Sequence, residues 1–317
     1  MIQKKKEILC LLCGSPMQFY ITGSDLLYNT TTKTYSIYKC QTCGLEKIEP
    51  TPSSREIFRF YPKTYYAYNT TDHAPLNFFG RLREKILEIH YKQDVKRDLF
   101  YYLALIAQKS FSGLPLYQTQ GGKFLDIGCG DGYNLQLMKK YGWDTTGFEI
   151  GKSKRIGNIY YDADISSIHF GKRFDFIRVW HVLEHVPNPE KFVKKLSELL
   201  TETGEIVLGI PNTDSFYAYF FGKYWYNRDI PRHLYNYNPT NLAILFKEYN
   251  LVPYSIQYIS AGGFIGSIQH RINTWYRGDY DFINNKILFL ITYPIDIACN
   301  FFKRGDCLAV TFRKVKE

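Results

Sequence analysis

Phe124-Leu125-Asp126-Ile127-Gly128-Cys129-Gly130-Asp131-Gly132 is the stretch whose reading decides the fold. A short apolar run ends in an acid and enters three glycines at alternate positions. Lys123 to Ile127 reads as a buried strand. A helical pattern begins at Asn134, where NLQLMKKY puts Leu135 and Met138 on one side. Glycines at such a point let the backbone turn sharply and approach a ligand without interference from a Cβ. The helix start offers unpaired N–H groups to a negative or polar group. A second strand, Thr145 to Ile150, follows and carries Glu149 near its end. That acid lies about twenty residues past the glycines, where a dinucleotide-type fold places its ribose-binding carboxylate. The pattern predicts a loop for a nucleotide-type cofactor.

Two readings of the loop compete. The NAD-type fingerprint is Gly-x-Gly-x-x-Gly and needs no acid ahead of it, whereas this loop is Asp-x-Gly-x-Gly-x-Gly. The latter resembles the first motif of the class I S-adenosylmethionine-dependent methyltransferases. The resemblance implies that Asp126 lies near the amino-acid end of the cofactor, that Gly128 and Gly130 allow close approach, and that Glu149 binds the ribose hydroxyls. Cys129 is expected to pack, not to react. Further stretches agree in order and spacing. Tyr160 to Ile165 is similar to the family's third strand, which implies Asp164 at the adenine amino group, with Asp162 as its rival, and Ile165 against the ring. Phe174 to Trp180 reads as the fourth strand, with Trp180 lining the cofactor pocket. A helix from Pro187-Asn188-Pro189-Glu190 to Leu200 and a fifth strand from Gly204 to Ile210 follow, and a last strand is expected near Cys307 to Arg313. The implied fold is α/β: a doubly wound, mostly parallel, seven-stranded Rossmann-like sheet.

Cys10-x-x-Cys13-Gly14 and Cys40-x-x-Cys43-Gly44 form two similar knuckles. Each tight turn aims two thiolates at one point, and four thiolates at this spacing suit tetrahedral zinc. Four cysteines leave no open position for water, so the metal is expected to be structural. A domain this small needs such a staple to fold. Residues 1–48 therefore read as a zinc ribbon.

Residues 49–118 read as a linker, Glu49-Pro50-Thr51-Pro52-Ser53-Ser54, and a helical lid region. The tyrosine-rich stretch Ile57 to Asp72 is a candidate substrate lid, and a helical pattern runs from about Asn77 to Lys109. Residues 119–317 read as the methyltransferase core, with insertions at about 213–239 and 262–305. The first insertion contains Pro231-Arg232-His233-Leu234, and Asn238-Pro239-Thr240 caps a helix after it. That pairing resembles methyltransferases of saccharide and secondary-metabolite pathways. In the second insertion Asn285 to Phe302 is apolar and broken by Pro294. It reads as a helix covering the core or a dimer contact, with a bilayer interface as the alternative.

Hydrophobic residues make up 45% of the 317, enough for a substantial core. No apolar run reaches membrane-spanning length, which argues against a transmembrane helix. The apolar run after Met1 is too short for a signal peptide and leads into a cysteine pair, so a cytoplasmic protein is expected. The formal charge of +10 suits an anionic partner: a phosphate-bearing small molecule, a membrane face or nucleic acid. Charge does not rank these, and oligomeric state stays open.

Methyl transfer to a hydroxyl needs a base of pKa near 7, and histidine suits that role. His181 follows the fourth strand and His233 lies in the aromatic insertion; both are candidates. His185, in Leu183-Glu184-His185-Val186, is expected to orient the loop, with Glu184 as its brace. The leading function is S-adenosylmethionine-dependent methylation of a small or carrier-linked acceptor, a hydroxyl of a sugar or related metabolite. The alternatives are an RNA methyltransferase, which the charge fits but the scatter of basic residues does not, and a non-catalytic module that kept the cofactor fold.

Overall fold

The computed structural model describes residues 7–62, 78–92, 95–107, 121–151, 154–260 and 262–315. The chain opens with strands β1 (Met17–Gly23), β2 (Tyr35–Cys40) and β3 (Glu46–Glu49), then helices α1 (Ser54–Ile57), α2 (Phe78–Tyr91) and α3 (Leu99–Ala107). From the glycine loop onward run β4 (Lys123–Ile127), α4 (Tyr133–Lys139), β5 (Asp144–Ile150), β6 (Lys154–Ile156), β7 (Ile159–Asp162), β8 (Phe174–Trp180), α5 (Pro189–Leu199) and β9 (Leu200–Pro211). The remainder is α6 (Phe216–Phe221), β10 (Tyr235–Asn236), α7 (Pro239–Lys247), β11 (Leu251–Ile259), α8 (Gly263–Tyr276), α9 (Lys286–Phe301) and β12 (Cys307–Lys314).

The main sheet has the strand order β11-β12-β9-β8-β4-β5-β7-β6. β4 runs parallel to both β5 and β8, and β5 parallel to β7. Strand order therefore reverses at β4, and ligands of open α/β sheets bind outside the carboxyl ends of the strands at such a point. The glycine loop leaves β4 there. The sheet is a Rossmann-like methyltransferase sheet with one strand more than the seven expected. The addition is β6, an exposed edge strand antiparallel to β7. Its cause is Gly157-Asn158, a two-residue hairpin connection in which Gly157 takes φ +58°.

The chain divides into two compact units: residues 63–180 with 195–208, and residues 1–62, 181–194 and 209–317. In the first, Phe124 on β4 stacks on Phe176 of β8, with Trp143 edge-on to both. α2 lays Leu82, Ile86 and Leu87 on this cluster, and burial of each such side chain is worth about 1.5–3 kcal/mol. Tyr91 ends α2 and accepts a hydrogen bond from Trp143 Nε1 at 3.2 Å. The helical pattern read as one segment from Asn77 to Lys109 is thus α2 and α3, and α2 is packed on the sheet's core. Of the tyrosine-rich stretch, residues 63–72 lie outside the described residues, as do Gly113 to Gln120.

In the second unit β1, β2 and β3 form an antiparallel meander. β10 extends it, Tyr235 pairing with Lys47 and Asn236 with Glu46. The segment leading to β10 supplies two fully buried arginines. Arg228 pairs with Glu46, and Arg232 with Asp25 on the loop after β1. Asn238 and Asn241 cap α7 reciprocally, and Asn241 also donates to the carbonyl of Cys43. The amino-terminal sheet and residues 222–241 therefore form one packed body. On α9 the apolar residues Ile287, Leu290, Ile291 and Phe301 are exposed. No helix among the described residues is long and apolar enough to cross a membrane.

Candidate active site

The glycine loop takes the conformation its sequence requires. Gly128, Gly130 and Gly132 have φ of +75°, +54° and +83°, a region costly to any residue with a Cβ. Gly128 and Cys129 donate their N–H groups to the carbonyl of Phe148 on β5, and Gly132 opens α4. The N–H of Gly130 donates to Glu149 Oε2 at 2.7 Å. Loop and second-strand acid are thereby joined. Glu149 Oε1 accepts from the N–H of Ile150 at 3.0 Å. Each carboxylate oxygen has two acceptor sites, so the pair retains capacity for hydroxyl donors, which suits a ribose. Burial pushes the Glu149 carboxyl up; its two backbone hydrogen bonds oppose this and Asp126 adds to it.

Asp126 is fully buried, and Arg178, its neighbour in register on β8, donates to its Oδ1 at 2.9 Å. The Arg178 guanidinium also lies 5.1 Å from the Trp180 ring centroid. Cys129 is buried in the core cluster beside Gly147, and burial raises its thiol well above the ordinary range. Asp162 ends β7. Asp164, exposed, caps a short turn by accepting from the N–H of Ser166 at 2.9 Å, and its own N–H donates to Asp162. Ile165 is buried. Trp180 is half-buried at the end of β8. Asp126, Gly128, Gly130, Glu149, Asp164, Ile165 and Trp180 thus all lie at the carboxyl ends of β4, β5, β7 and β8 or on the loops just beyond them.

The other unit gathers three histidines around one acid. His181 sits in the left-handed region at φ +52°, which costs a residue of its type roughly 1–2 kcal/mol. Its Nδ1 is 3.2 Å from Glu184 Oε1. Glu184 is fully buried, and its Oε2 has no hydrogen-bond partner. Burial alone would raise that carboxyl, but the hydrogen bond from His181 and the nearby imidazoles of His185 and His233 outweigh it and hold it low. His185 Nδ1 is 3.0 Å from the carbonyl of Arg232 and 3.0 Å from the Tyr61 hydroxyl. His233 Nδ1 is 2.9 Å from the carbonyl of Asn227. A carbonyl or a carboxylate only accepts, so each imidazole carries its proton on Nδ1 and, when neutral, presents an unprotonated Nε2. The His185 and His233 rings meet edge to face at 4.7 Å. Burial, reinforced by His185, depresses the His233 pKa well below the ordinary value. His181 differs: its side chain is 29% exposed, against 7% for His233.

In the same unit Cys10 and Cys43 have their sulfurs 3.6 Å apart, and Cys13 and Cys40 theirs 3.4 Å apart. These distances are far too long for disulfides and near the ~3.8 Å separating two sulfurs on a tetrahedral zinc with ~2.3 Å bonds. All four ligand atoms lie within 4.8 Å of one another. Gly14 and Gly44, at φ +68° and +75°, close each knuckle by an N–H bond back to the carbonyl of Cys10 or Cys40. The donor set fits a structural zinc ion.

Residues 95–256, just over half of the chain, match a family model described as a methyltransferase domain. The chain belongs to the methyltransferase domain family. Among curated relatives, the mitochondrial ubiquinone biosynthesis O-methyltransferase of Arabidopsis thaliana is 34% identical over 107 residues, 29% of this chain and 33% of that protein. The ubiquinone biosynthesis O-methyltransferase of Bordetella avium is 27% identical over 154 residues, 42% of this chain and 64% of that protein. The chain thus spans between a third and just under two thirds of these relatives. Among solved structures, the 1,6-didemethyltoxoflavin-N1-methyltransferase of Burkholderia thailandensis, bound to 1,6-didemethyltoxoflavin and S-adenosylhomocysteine, is similar with TM-score 0.43 and 14% identity, over 89% of this chain and 96% of that one. An O-methyltransferase from a trans-AT PKS multienzyme of Brevibacillus brevis has TM-score 0.41 and 19% identity, over 66% and 71%.

Three features of this methyltransferase domain went unread in the sequence. Arg178 is the partner of Asp126, signalled only by a charge inside the otherwise apolar strand FDFIRVW. Arg232 and Asp25 are 207 residues apart and carry no local signal. The convergence of Glu184, His185 and His233 depends on that long-range pairing too.

Proposed function

We propose that the protein is an S-adenosylmethionine-dependent O-methyltransferase acting on a hydroxyl of a small or carrier-linked acceptor, a sugar or related metabolite. The observation that carries this reading is the 2.7 Å bond from Gly130 N–H to Glu149, which ties a left-handed glycine bend to a carboxylate on the neighbouring parallel strand. Glu149 would hold the ribose hydroxyls, Gly128 and Gly130 would let the backbone approach, Asp164 and Ile165 would meet the adenine, and Trp180 would line the pocket. Asp126 would orient the amino-acid end, with Arg178 fixing its carboxylate. When bound, the cofactor supplies an electrophilic methyl group on a sulfonium.

For this chain, the remaining task is to position a hydroxyl and take its proton. His181 is the better base of the two candidates. Its Nδ1–H is fixed by Glu184, and its side chain reaches solvent. The Glu184 carboxylate steadies the imidazolium that forms, as an acid behind a histidine does in other proton transfers. His233 is enclosed and anchored to the carbonyl of Asn227, which suits support better than proton exchange. The relatives' names, O-methyltransferases, support oxygen as the atom methylated. Zinc at Cys10, Cys13, Cys40 and Cys43 would be structural.

The test is incubation of the full chain with methyl-labelled S-adenosylmethionine and separate pools of saccharides, phenols, carrier-linked metabolites and RNA. Label on a hydroxyl of a small or carrier-linked product, lost in Glu149→Ala, is the expected result. Label confined to RNA would replace this reading, and cofactor binding without transfer to any pool would leave only a binding module.

A further inference from the structure

The Glu184, His185 and His233 side chains form a site whose composition exceeds what a proton relay needs. One ligand atom from each lies within 4.8 Å of the others. Two atoms bound to one first-row cation by ~2.1 Å bonds stand at most ~4.2 Å apart, so closure requires only a small contraction. The tautomers agree. His185 and His233 each spend Nδ1–H on a backbone carbonyl, of Arg232 and of Asn227, leaving Nε2 as the lone-pair atom. Anchoring of the second ring nitrogen to a carbonyl is the usual setting of a metal-binding histidine. A separate observation points to a ligand: Glu184 Oε2 is fully enclosed and has no hydrogen-bond partner, while its Oε1 already accepts from His181. A buried carboxylate oxygen left in that condition forfeits its solvation without replacement. A cation bound there removes that cost.

We propose that Glu184, His185 and His233 bind a divalent first-row cation, with zinc-type or iron-type preference for two imidazoles and one carboxylate. Three protein ligands leave at least one coordination position for water or for an oxygen of another molecule. The rigidity of the site comes from elsewhere in the same unit. Arg232, clamped by Asp25 and Asp229, fixes the backbone whose carbonyl holds His185, and the N–H of Leu234 bonds to the carbonyl of Glu184 at 2.8 Å. Use of the cation to bind an acceptor hydroxyl rests on the function proposed above; cation binding does not.

Cobalt(II) is the probe, because it reports its ligands optically and shifts nearby proton resonances. The full chain is stripped with a chelator and titrated. Cobalt at the four cysteines gives thiolate charge-transfer absorption; cobalt at the proposed site gives d–d bands without it. The expected result is a thiolate-free cobalt species in addition to the thiolate one. Its proton spectrum should contain two exchangeable hyperfine-shifted signals, the Nδ1–H protons of two imidazoles bound through Nε2. Glu184→Gln and His185→Ala should each weaken this species by roughly a hundredfold or more and leave the thiolate species in place, which also shows that the chain is folded. Absence of the thiolate-free species in the wild type overturns the proposal, as does its survival unchanged in both variants or a spectrum without those two signals. These wild-type measurements decide the matter even if a variant does not fold. A chain that binds cobalt in this way but transfers no methyl group would refute the function proposed above and leave the cation site standing.

Discussion

Arg232→Met should lower the stability of the unit that carries it by about 3–5 kcal/mol, the cost of removing one partner from a buried ion pair. The structure shows why the value belongs at that end. The guanidinium is fully buried and every side of it is used. Nη1 and Nη2 donate to the two oxygens of Asp25 at 3.1 and 2.7 Å, Nε and Nη2 donate to Asp229 Oδ1 at 2.9 and 2.6 Å, and Nη1 also donates to the carbonyl of Phe60 at 2.8 Å. The Tyr28 ring lies beneath, 4.8 Å away. Methionine replaces the volume but leaves two enclosed carboxylates facing nothing positive. Arg232→Lys keeps the charge yet cannot span the fork, so a loss of roughly 2 kcal/mol is expected. At ~2–4 °C per kcal/mol, melting followed by circular dichroism should drop by about 6–20 °C for methionine and less for lysine. In a cycle with Asp25→Asn the two losses should fall short of additivity by about 1–3 kcal/mol. The acid limb supplies a further check. Burial would raise the Asp25 carboxyl, but the Arg232 pair overcomes this and holds it below the ordinary carboxylate range. Its contribution is present above the unfolded carboxylate pKa and is lost as pH falls through the lower folded value, and Arg232→Met should abolish that dependence. A methionine variant within 1 kcal/mol of wild type, or full additivity with Asp25→Asn, would refute the clamp.

Glu149→Gln should weaken S-adenosylmethionine binding by roughly 10–100-fold, the loss of one charged hydrogen-bond acceptor, with melting little changed; calorimetry showing equal affinity would remove Glu149 from the site. His181→Ala should cut turnover by about 10²–10⁴ without altering cofactor affinity, and a loss below tenfold in single-turnover assays would end its role as base. Zinc added to the chelator-treated chain should stabilise the amino-terminal sheet by several kcal/mol, read as later proteolysis within residues 7–49; unchanged proteolysis would show that the cysteines need no metal. Burial raises the Asp306 carboxyl to about 7 despite the hydrogen bond from Trp225, so stability should be greatest below pH ~4 from this group and decline until pH passes ~7, by on the order of 4 kcal/mol. Asp306→Asn should flatten that decline in urea titrations at stepped pH, and an unchanged slope would contradict it.

The parts of the fold legible in the sequence are those whose signals are local. Phe124 to Gly132 declared a strand, a turn and a helix start within nine residues because glycine alone adopts the left-handed geometry found there without steric cost. Leu135 and Met138 marked the buried side of α4, and both are in the core. The Cys-x-x-Cys-Gly knuckles were legible for the same reason. Reading failed where meaning depends on distant partners. β6 is three exposed residues, too short for a periodic signal, and only Gly157-Asn158 announced it. Nothing near Tyr235-Asn236 indicates that it joins a sheet built from residues 17–49. Arg228 and Arg232 looked like ordinary basic residues of an insertion, and their burial follows from Glu46 and Asp25, which lie 182 and 207 positions away.

That long-range pairing also separates three histidines, of which the sequence left His181 and His233 as equal candidates for the base and gave His185 an orienting role. All three have Nδ1 occupied by an acceptor. What separates them is where their acceptor is held. His233 and His185 hang from carbonyls of the segment that Arg228 and Arg232 pin down, and they are correspondingly enclosed or held in place. His181 depends instead on Glu184 and on its own strained backbone, with its N–H bonded to the carbonyl of Gly209. A base must exchange protons with what it meets, which favours the histidine with solvent access; a cation ligand must keep its nitrogen aimed, which favours the two with fixed surroundings. Glu184 serves both, giving one oxygen to His181 and leaving the other for the cation. Glu184→Gln should therefore do two separable things: weaken the thiolate-free cobalt species, and lower turnover through His181 even in chains from which that cation has been removed. Loss of only the second effect would mean that His181 does not depend on the acid, and loss of only the first that the acid serves the base alone.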